Sequence, residues 1–215
     1  MTSIARRGLR RTVTALVAAL ALGLVAAAPA PAAQGLDSEQ RSPRVRVTHG
    51  PLLPSDHLGT AADDEIGQTA PTLAGLSLTG KEVSFTNDGK PRIVLFLSHS
   101  CPHCQAEVPE IVKLAKQGKL DGVEVDTVTT NTSKSLPNWP PSKWLKREHW
   151  PFRPVLADDS RLRAFFGYGG QAFPYFVFVG ADGKVVARAT GELPASTLTR
   201  AAQKLASGEP FFSQK

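Results

Sequence analysis

Residues Pro91–Ile111, PRIVLFLSHSCPHCQAEVPEI, decide how this chain reads. Ile93-Val94-Leu95-Phe96-Leu97 is a short, bounded apolar run of the kind that fills a strand buried on both faces. After a polar turn a helix opens at Cys101-Pro102-His103-Cys104, and those two cysteines are the only ones in 215 residues. Residues three apart share a helix face, so the two sulfurs are able to close a disulfide across one turn. The first turn also carries unpaired backbone N–H groups and the positive end of the macrodipole, which favour thiolate over thiol. Cys101, nearer the end, is therefore the expected nucleophile, and Cys104 the buried resolving thiol.

A C-x-x-C pair is also half of a structural zinc site. That site takes four ligands, and the chain has no second cysteine pair. Of the histidines His49, His57, His99, His103 and His149, only His99 and His103 stand at H-x3-5-H spacing, and they flank the cysteines themselves. A purely structural disulfide is the other bland alternative, but so small a loop removes little unfolded-state entropy. The pattern points to thiol–disulfide exchange, which needs no bound cofactor or metal.

The segment VLFLSHSCPHCQAEVPEI is similar to the active-site stretch of the thioredoxin superfamily. It most closely resembles the TlpA/ResA-like extracytoplasmic thiol–disulfide oxidoreductases, relatives of the redoxin/AhpC-TSA group. Their pattern runs strand, C-x-x-C, then x-x-Glu-x-Pro, and Glu107 and Pro109 fall on its Glu and its helix-kinking Pro. Ile66-Gly67-Gln68-Thr69-Ala70-Pro71 resembles the family's opening segment, Gly80-Lys81 its first hairpin, and Phe173-Pro174 its cis-proline loop. The family usually has Trp before the first cysteine; Ser100 stands there, so the surface offered to a partner is less apolar.

The resemblance implies an α/β, thioredoxin-like three-layer sandwich: a mixed central sheet flanked by helices, with an N-terminal hairpin and a TlpA-type central insertion. It implies a cis Pro174 facing Cys101, with the Phe173 backbone free to pair with a substrate strand. It places Glu107 beside Cys104, where a buried carboxylate of raised proton affinity is able to take the resolving thiol's proton. His103, between the cysteines, is the residue expected to tune the Cys101 thiolate. Partners would be protein thiols and disulfides, apocytochrome c among them, and an unidentified membrane electron donor or acceptor; the protein itself would be a monomer.

The N-terminus reads as an export signal. Arg6, Arg7, Arg10 and Arg11 precede a nearly unbroken Ala/Leu/Val run from Thr12 to Ala28, and Ala30-Pro31-Ala32 has the form of a cleavage site. A signal peptide over 1–32 and an extracytoplasmic location are expected, an uncleaved membrane anchor being the alternative. The formal charge of +6 includes those four arginines; without them 21 basic residues face 19 acidic ones, a net of +2. A charge that small gives no support to nucleic-acid binding.

Residues 33–65 carry scattered Pro, Gly and charges without a sustained period and read as a flexible linker, with Arg44–Thr48 a stray alternating run. The domain then spans 66–208, with a tail over 209–215. Its expected elements are a hairpin over 73–78 and 83–85, strands 92–97 and 123–129, and a helix 101–117 ended by Gly118. A helix 142–149, a strand near 155–157 and a helix 161–166 capped by Asp159-Ser160 follow, then strands 175–179 and 185–189 and a helix 195–206. His99 reads as a surface turn residue, and Trp139, Trp144 and Trp150 as packing or rim residues.

Competing functions fit less well. A peroxiredoxin-like peroxidase needs P-x-x-x-T-x-x-C, which puts Pro where Val94 stands, with only Ser98 suiting the Thr slot. A copper-handling protein of the Sco type needs C-x3-C, and a redox-inert binding module has no use for an intact C-x-x-C. The remaining choice is direction, since the family mostly reduces disulfides whereas a Pro-His dipeptide resembles that of the oxidant DsbA.

Overall fold

The structure, a computed structural model, describes residues 44–212. The expected signal segment and the start of the linker lie outside the described residues. In chain order the elements are β1 (Arg46–Thr48), β2 (Thr72–Leu76), β3 (Glu82–Phe85), β4 (Arg92–Leu97), α1 (Pro102–Lys116), β5 (Glu124–Thr129), α2 (Pro141–Arg147), β6 (Val155–Ala157), α3 (Arg163–Gly167), β7 (Tyr175–Val179), β8 (Val185–Thr190) and α4 (Ala195–Ser207).

Five strands form the central sheet in the order β6-β5-β4-β7-β8, with β4 to β6 parallel and β7 and β8 antiparallel. All six residues of β4 are buried, as a strand covered on both faces requires. Ile93, Leu95 and Leu97 face a core shared with α1, α2 and α4, while Val94 and Phe96 face a second core closed by Phe165, Tyr168, Leu73 and Phe85. The period of two along β4 thus divides the two cores. The mixed sheet between covering layers is the thioredoxin-like architecture the sequence implied. Residues 131–170 contribute α2, the edge strand β6 and α3.

Helix α1 stops at a Schellman motif, with Gly118 N–H on Ala115 O at 3.0 Å and Lys119 N–H on Leu114 O at 3.0 Å. Gly118 has φ +68°, which explains why glycine ends this helix. α3 starts two residues later than expected. Its first-turn N–H groups are taken mainly by Asp158, whose carboxylate accepts from Ala164 at 2.9 Å and Phe165 at 3.1 Å, while Asp159 accepts from Arg161 and Arg163. Trp144 and Trp150 are buried, and the Trp150 indole N–H donates to Thr127 Oγ1 at 3.2 Å.

The flexible linker expected over 33–65 is instead packed from Arg44 onward. β1 pairs antiparallel with β2, and Val45 and Leu52 are each 3 % exposed in the second core. The physical reason is Arg188 on β8, whose side chain is completely buried and needs a counter-charge. Asp63 supplies it: Arg188 Nε donates to Asp63 Oδ2 at 2.8 Å and its Nη2 to Oδ1. Arg188 Nη1 donates to Leu53 O at 2.8 Å and to the Tyr175 hydroxyl at 3.3 Å. Burial works against ionisation of Asp63, but the Arg188 hydrogen bonds and charge outweigh it and hold the carboxyl below its usual range.

Candidate active site

β4 ends at Leu97, and four residues turn the chain into α1. Ser98 and His99 are wholly buried, Cys101 is half-buried and Cys104 is fully buried. Cys101 is the N-cap residue, Pro102 opens the helix, and no side chain caps it. Proline at that position gives up no hydrogen bond and its φ suits the helix. With no side chain capping it, the positive end of α1 lies at Cys101. Both cysteines are free thiols in this structure.

Cys101 S–H donates to Phe173 O at 3.7 Å, and the Phe173–Pro174 peptide is cis, as the resemblance implied. Trp139–Pro140 and Arg153–Pro154 are also cis. The Phe173 ring lies on Phe165, with centroids 4.4 Å apart. Gly170 makes room for this: a Cβ there would stand 2.3 Å from the Phe165 ring. Phe173 and Pro174 are therefore brought against Cys101 from a distant part of the chain.

Cys104 accepts the Ser98 N–H at 3.4 Å. Burial pushes its thiol far above the ordinary range, with only that N–H pulling the other way. A thiol so placed is inert until a base removes its proton. Glu107, one turn on and 3 % exposed, lies on the same face of α1. Its Oε2 accepts the Leu193 N–H at 3.1 Å, while Oε1 is buried without a hydrogen-bond partner. Burial, followed by the like charges of Glu192 and Glu110, pushes this carboxyl up to about 7. It can therefore change protonation state at neutral pH.

His103 is exposed, and its Nδ1 lies 2.6 Å from Glu192 Oε1. His99 corrects the sequence reading: it is a core residue, not a surface turn. Its Nδ1 lies 2.6 Å from Pro137 O and its Nε2 receives the Ser133 N–H at 3.1 Å. A carbonyl only accepts, so Nδ1 carries the proton and Nε2 is bare, which fixes a neutral imidazole. Burial lowers its proton affinity further. The His99 carbonyl accepts from Gln105 and Asn138, each at 3.2 Å, and Trp139 meets the ring edge-on at 5.8 Å. His99 thereby pins the loop after β5 against the redox turn. Sequence reading missed His99, Glu192 and Leu193, because their partners lie 34 to 89 residues away.

Among the described residues no group of three or more His, Cys, Asp or Glu is arranged to hold a metal ion. A sheet that delivers a C-x-x-C dithiol to a helix N-terminus opposite a cis-proline loop defines a thiol–disulfide oxidoreductase of thioredoxin fold. Known proteins agree. The sequence profile of the redoxin family matches residues 65–205, and the chain belongs to that family. It is 26 % identical over 134 residues to the thiol–disulfide oxidoreductase ResA of Halalkalibacterium halodurans, covering 62 % of this chain and 70 % of ResA. A thioredoxin-family thiol:disulfide interchange protein of Chlorobium tepidum superposes with TM-score 0.55 at 28 % identity, over 66 % of this chain and 99 % of that one. StoA of Bacillus subtilis shares the fold, with TM-score 0.51 at 21 % identity over 60 % and 95 % of the two chains.

Proposed function

We propose that this chain is an exported reductase of protein disulfides, with Cys101 attacking and Cys104 resolving. The observation that carries the reading is the contrast between the two thiols, one open at a helix N-terminus and one buried beside a carboxyl that titrates near neutrality. The Cys101 thiolate attacks one sulfur of a substrate disulfide. The substrate S–S bond breaks, its other sulfur leaves as thiolate and takes a proton from water, and a Cys101–substrate disulfide remains. Ionised Glu107 then takes the Cys104 proton, and the Cys104 thiolate attacks the Cys101 sulfur. The second substrate sulfur leaves as a thiolate and takes up a proton, which Glu107 gives back directly or through water; two electrons have passed to the substrate, and Cys101–Cys104 is the disulfide. A membrane-bound dithiol donor would return it to the reduced state.

The Phe173 carbonyl and the cis-proline loop are the backbone edge on which a substrate strand would lie, apocytochrome c being one substrate the resemblance suggests. The N-terminal signal pattern supports export; among the described residues no helix is long and apolar enough to cross a membrane. Cys104→Ser should trap mixed disulfides with partners that Cys101→Ser does not, visible as reductant-sensitive bands. The reverse pattern would exchange the two roles. A second reading, a thiol oxidase, is favoured by the Pro-His dipeptide: His103 that stabilises the Cys101 thiolate favours the reduced form and makes the couple more oxidising. Equilibration of the Cys101–Cys104 couple against a glutathione series decides between them, a potential near that of thioredoxin marking a reductase and one near that of DsbA an oxidase.

A further inference from the structure

The loop that leaves β8 touches three parts of the redox centre within four residues. Thr190 Oγ1 donates to Ala172 O at 3.0 Å and to Pro174 O at 3.4 Å, and Gly191 N–H donates to Pro174 O at 2.9 Å. Leu193 N–H binds Glu107 at 3.1 Å, and between them Glu192 meets His103 at 2.6 Å. The backbone of this loop therefore holds the cis-proline loop and the buried carboxyl, while its one acidic side chain goes to the residue between the cysteines. A carboxylate only accepts, so His103 Nδ1 carries a proton; Nε2 accepts while it is bare and donates to a thiolate only once it is protonated as well.

We propose that Glu192 is a positioning residue of the redox centre, holding the His103 imidazole in one orientation and tautomer beside the first turn of α1. This rests on the reading of His103 as the residue that tunes the Cys101 thiolate. The titratable groups of the region are Cys101, Cys104, Glu107 and Glu110 on α1 and Glu192 on the loop; the facing segment Gln171–Pro174 has none. Without His103, Glu192 would be a bare negative charge near a thiolate and would disfavour it. Paired with His103, it stabilises the imidazolium that forms when Nε2 also takes a proton, and so sets a positive charge on the first turn of α1 instead. Glu192 therefore acts in opposite senses depending on whether His103 is present.

Both partners are largely exposed, so the pair is worth what surface pairs are worth, about 0.2–1 kcal/mol. That corresponds to about a 1.4- to fivefold change in the thiol–disulfide equilibrium constant, or roughly 4–20 mV for two electrons. The test equilibrates the protein with glutathione at pH 7 as wild type, Glu192→Ala, Glu192→Gln, His103→Ala and the double Glu192→Ala/His103→Ala. Glu192→Ala should shift the equilibrium about 1.4- to fivefold toward the disulfide. Glu192→Gln, which keeps an acceptor oxygen, should recover part of that, and salt at about 1 M should shrink the shift. In the His103→Ala background the shift should vanish or reverse. A shift of the same size and sign in that background overturns the proposal, as does a wild-type-background shift toward the dithiol. No effect of Glu192→Ala while His103→Ala shifts the equilibrium overturns it and leaves the tuning role of His103 standing. If His103→Ala itself changes nothing, the tuning role fails and the proposal with it.

Discussion

Glu107→Gln should gain stability relative to wild type as the pH rises from acid to alkaline, with almost no pH-dependent effect in acid. The folded carboxyl titrates at about 7 against an ordinary 4.5. A raised carboxyl means that between those values the native state holds a proton the unfolded chain has lost. Stability therefore falls as pH rises through this window and stays lower above it. A displacement of about 2.5 units at 1.36 kcal/mol each is about 3 kcal/mol, nearly absent at pH 4 and complete above pH 8. Glutamine keeps an oxygen for the Leu193 N–H, but sets an amide N–H₂ where Oε1 has no partner, a cost of about 1–3 kcal/mol at every pH. The diagnostic is therefore the difference between two pH values. Urea unfolding of both proteins, in reductant so that the thiols stay free, should give a ΔΔG that moves by about 3 kcal/mol in favour of the variant from pH 4 to pH 8.5. In thermal melts this is roughly 6–12 °C for a chain of this size. A ΔΔG equal at both pH values would show that Glu107 does not titrate near neutrality, and would remove it as the acceptor of the Cys104 proton. Resolution should slow in the same variant, so the destabilising carboxylate is kept for its chemistry.

His99 acts in the opposite sense: its lowered proton affinity means the unfolded chain binds a proton first, so stability is lost as pH falls below about 6.5. The two slopes oppose each other in wild type, and Glu107→Gln should unmask acid destabilisation below pH 6.5 that His99→Asn abolishes; a wild-type profile as steep as that of Glu107→Gln would contradict this. Asp63→Ala strands a buried guanidinium and should cost about 3–5 kcal/mol, with early proteolysis between residues 44 and 65, whereas unchanged stability would mean that the pair is not formed in solution.

The redox segment was legible because its signals are local. An all-apolar run gives β4, and glycine after an amphipathic stretch gives the end of α1. The pairing of Phe173-Pro174 with Cys101 was legible only through resemblance, since nothing local ties residues 72 apart. His99 was misread because its neighbours, Ser98 and Ser100, look like an exposed turn; its burial depends on Ser133 and Pro137. Asp158 was passed over for Asp159 because capping preference identifies the residue type and not which of two adjacent carboxylates turns toward the helix. The segment 44–65 was misread most fully. Its composition is that of a linker, and what orders it is a cation 125 residues downstream.

That tie to Arg188 bears on where the functional unit may be cut. The redoxin match begins at residue 65, two positions after Asp63, so a fragment designed on family boundaries would keep both cysteines, the whole central sheet and every helix. It would also open the second core where Val45 and Leu52 now close it, and leave Arg188 beneath the sheet with no anion to meet it. Such a fragment carries all the chemistry and lacks its keystone. A version of this protein that keeps these contacts starts no later than Arg44, and a cut between Arg44 and Asp63 should loosen the second core without touching the dithiol.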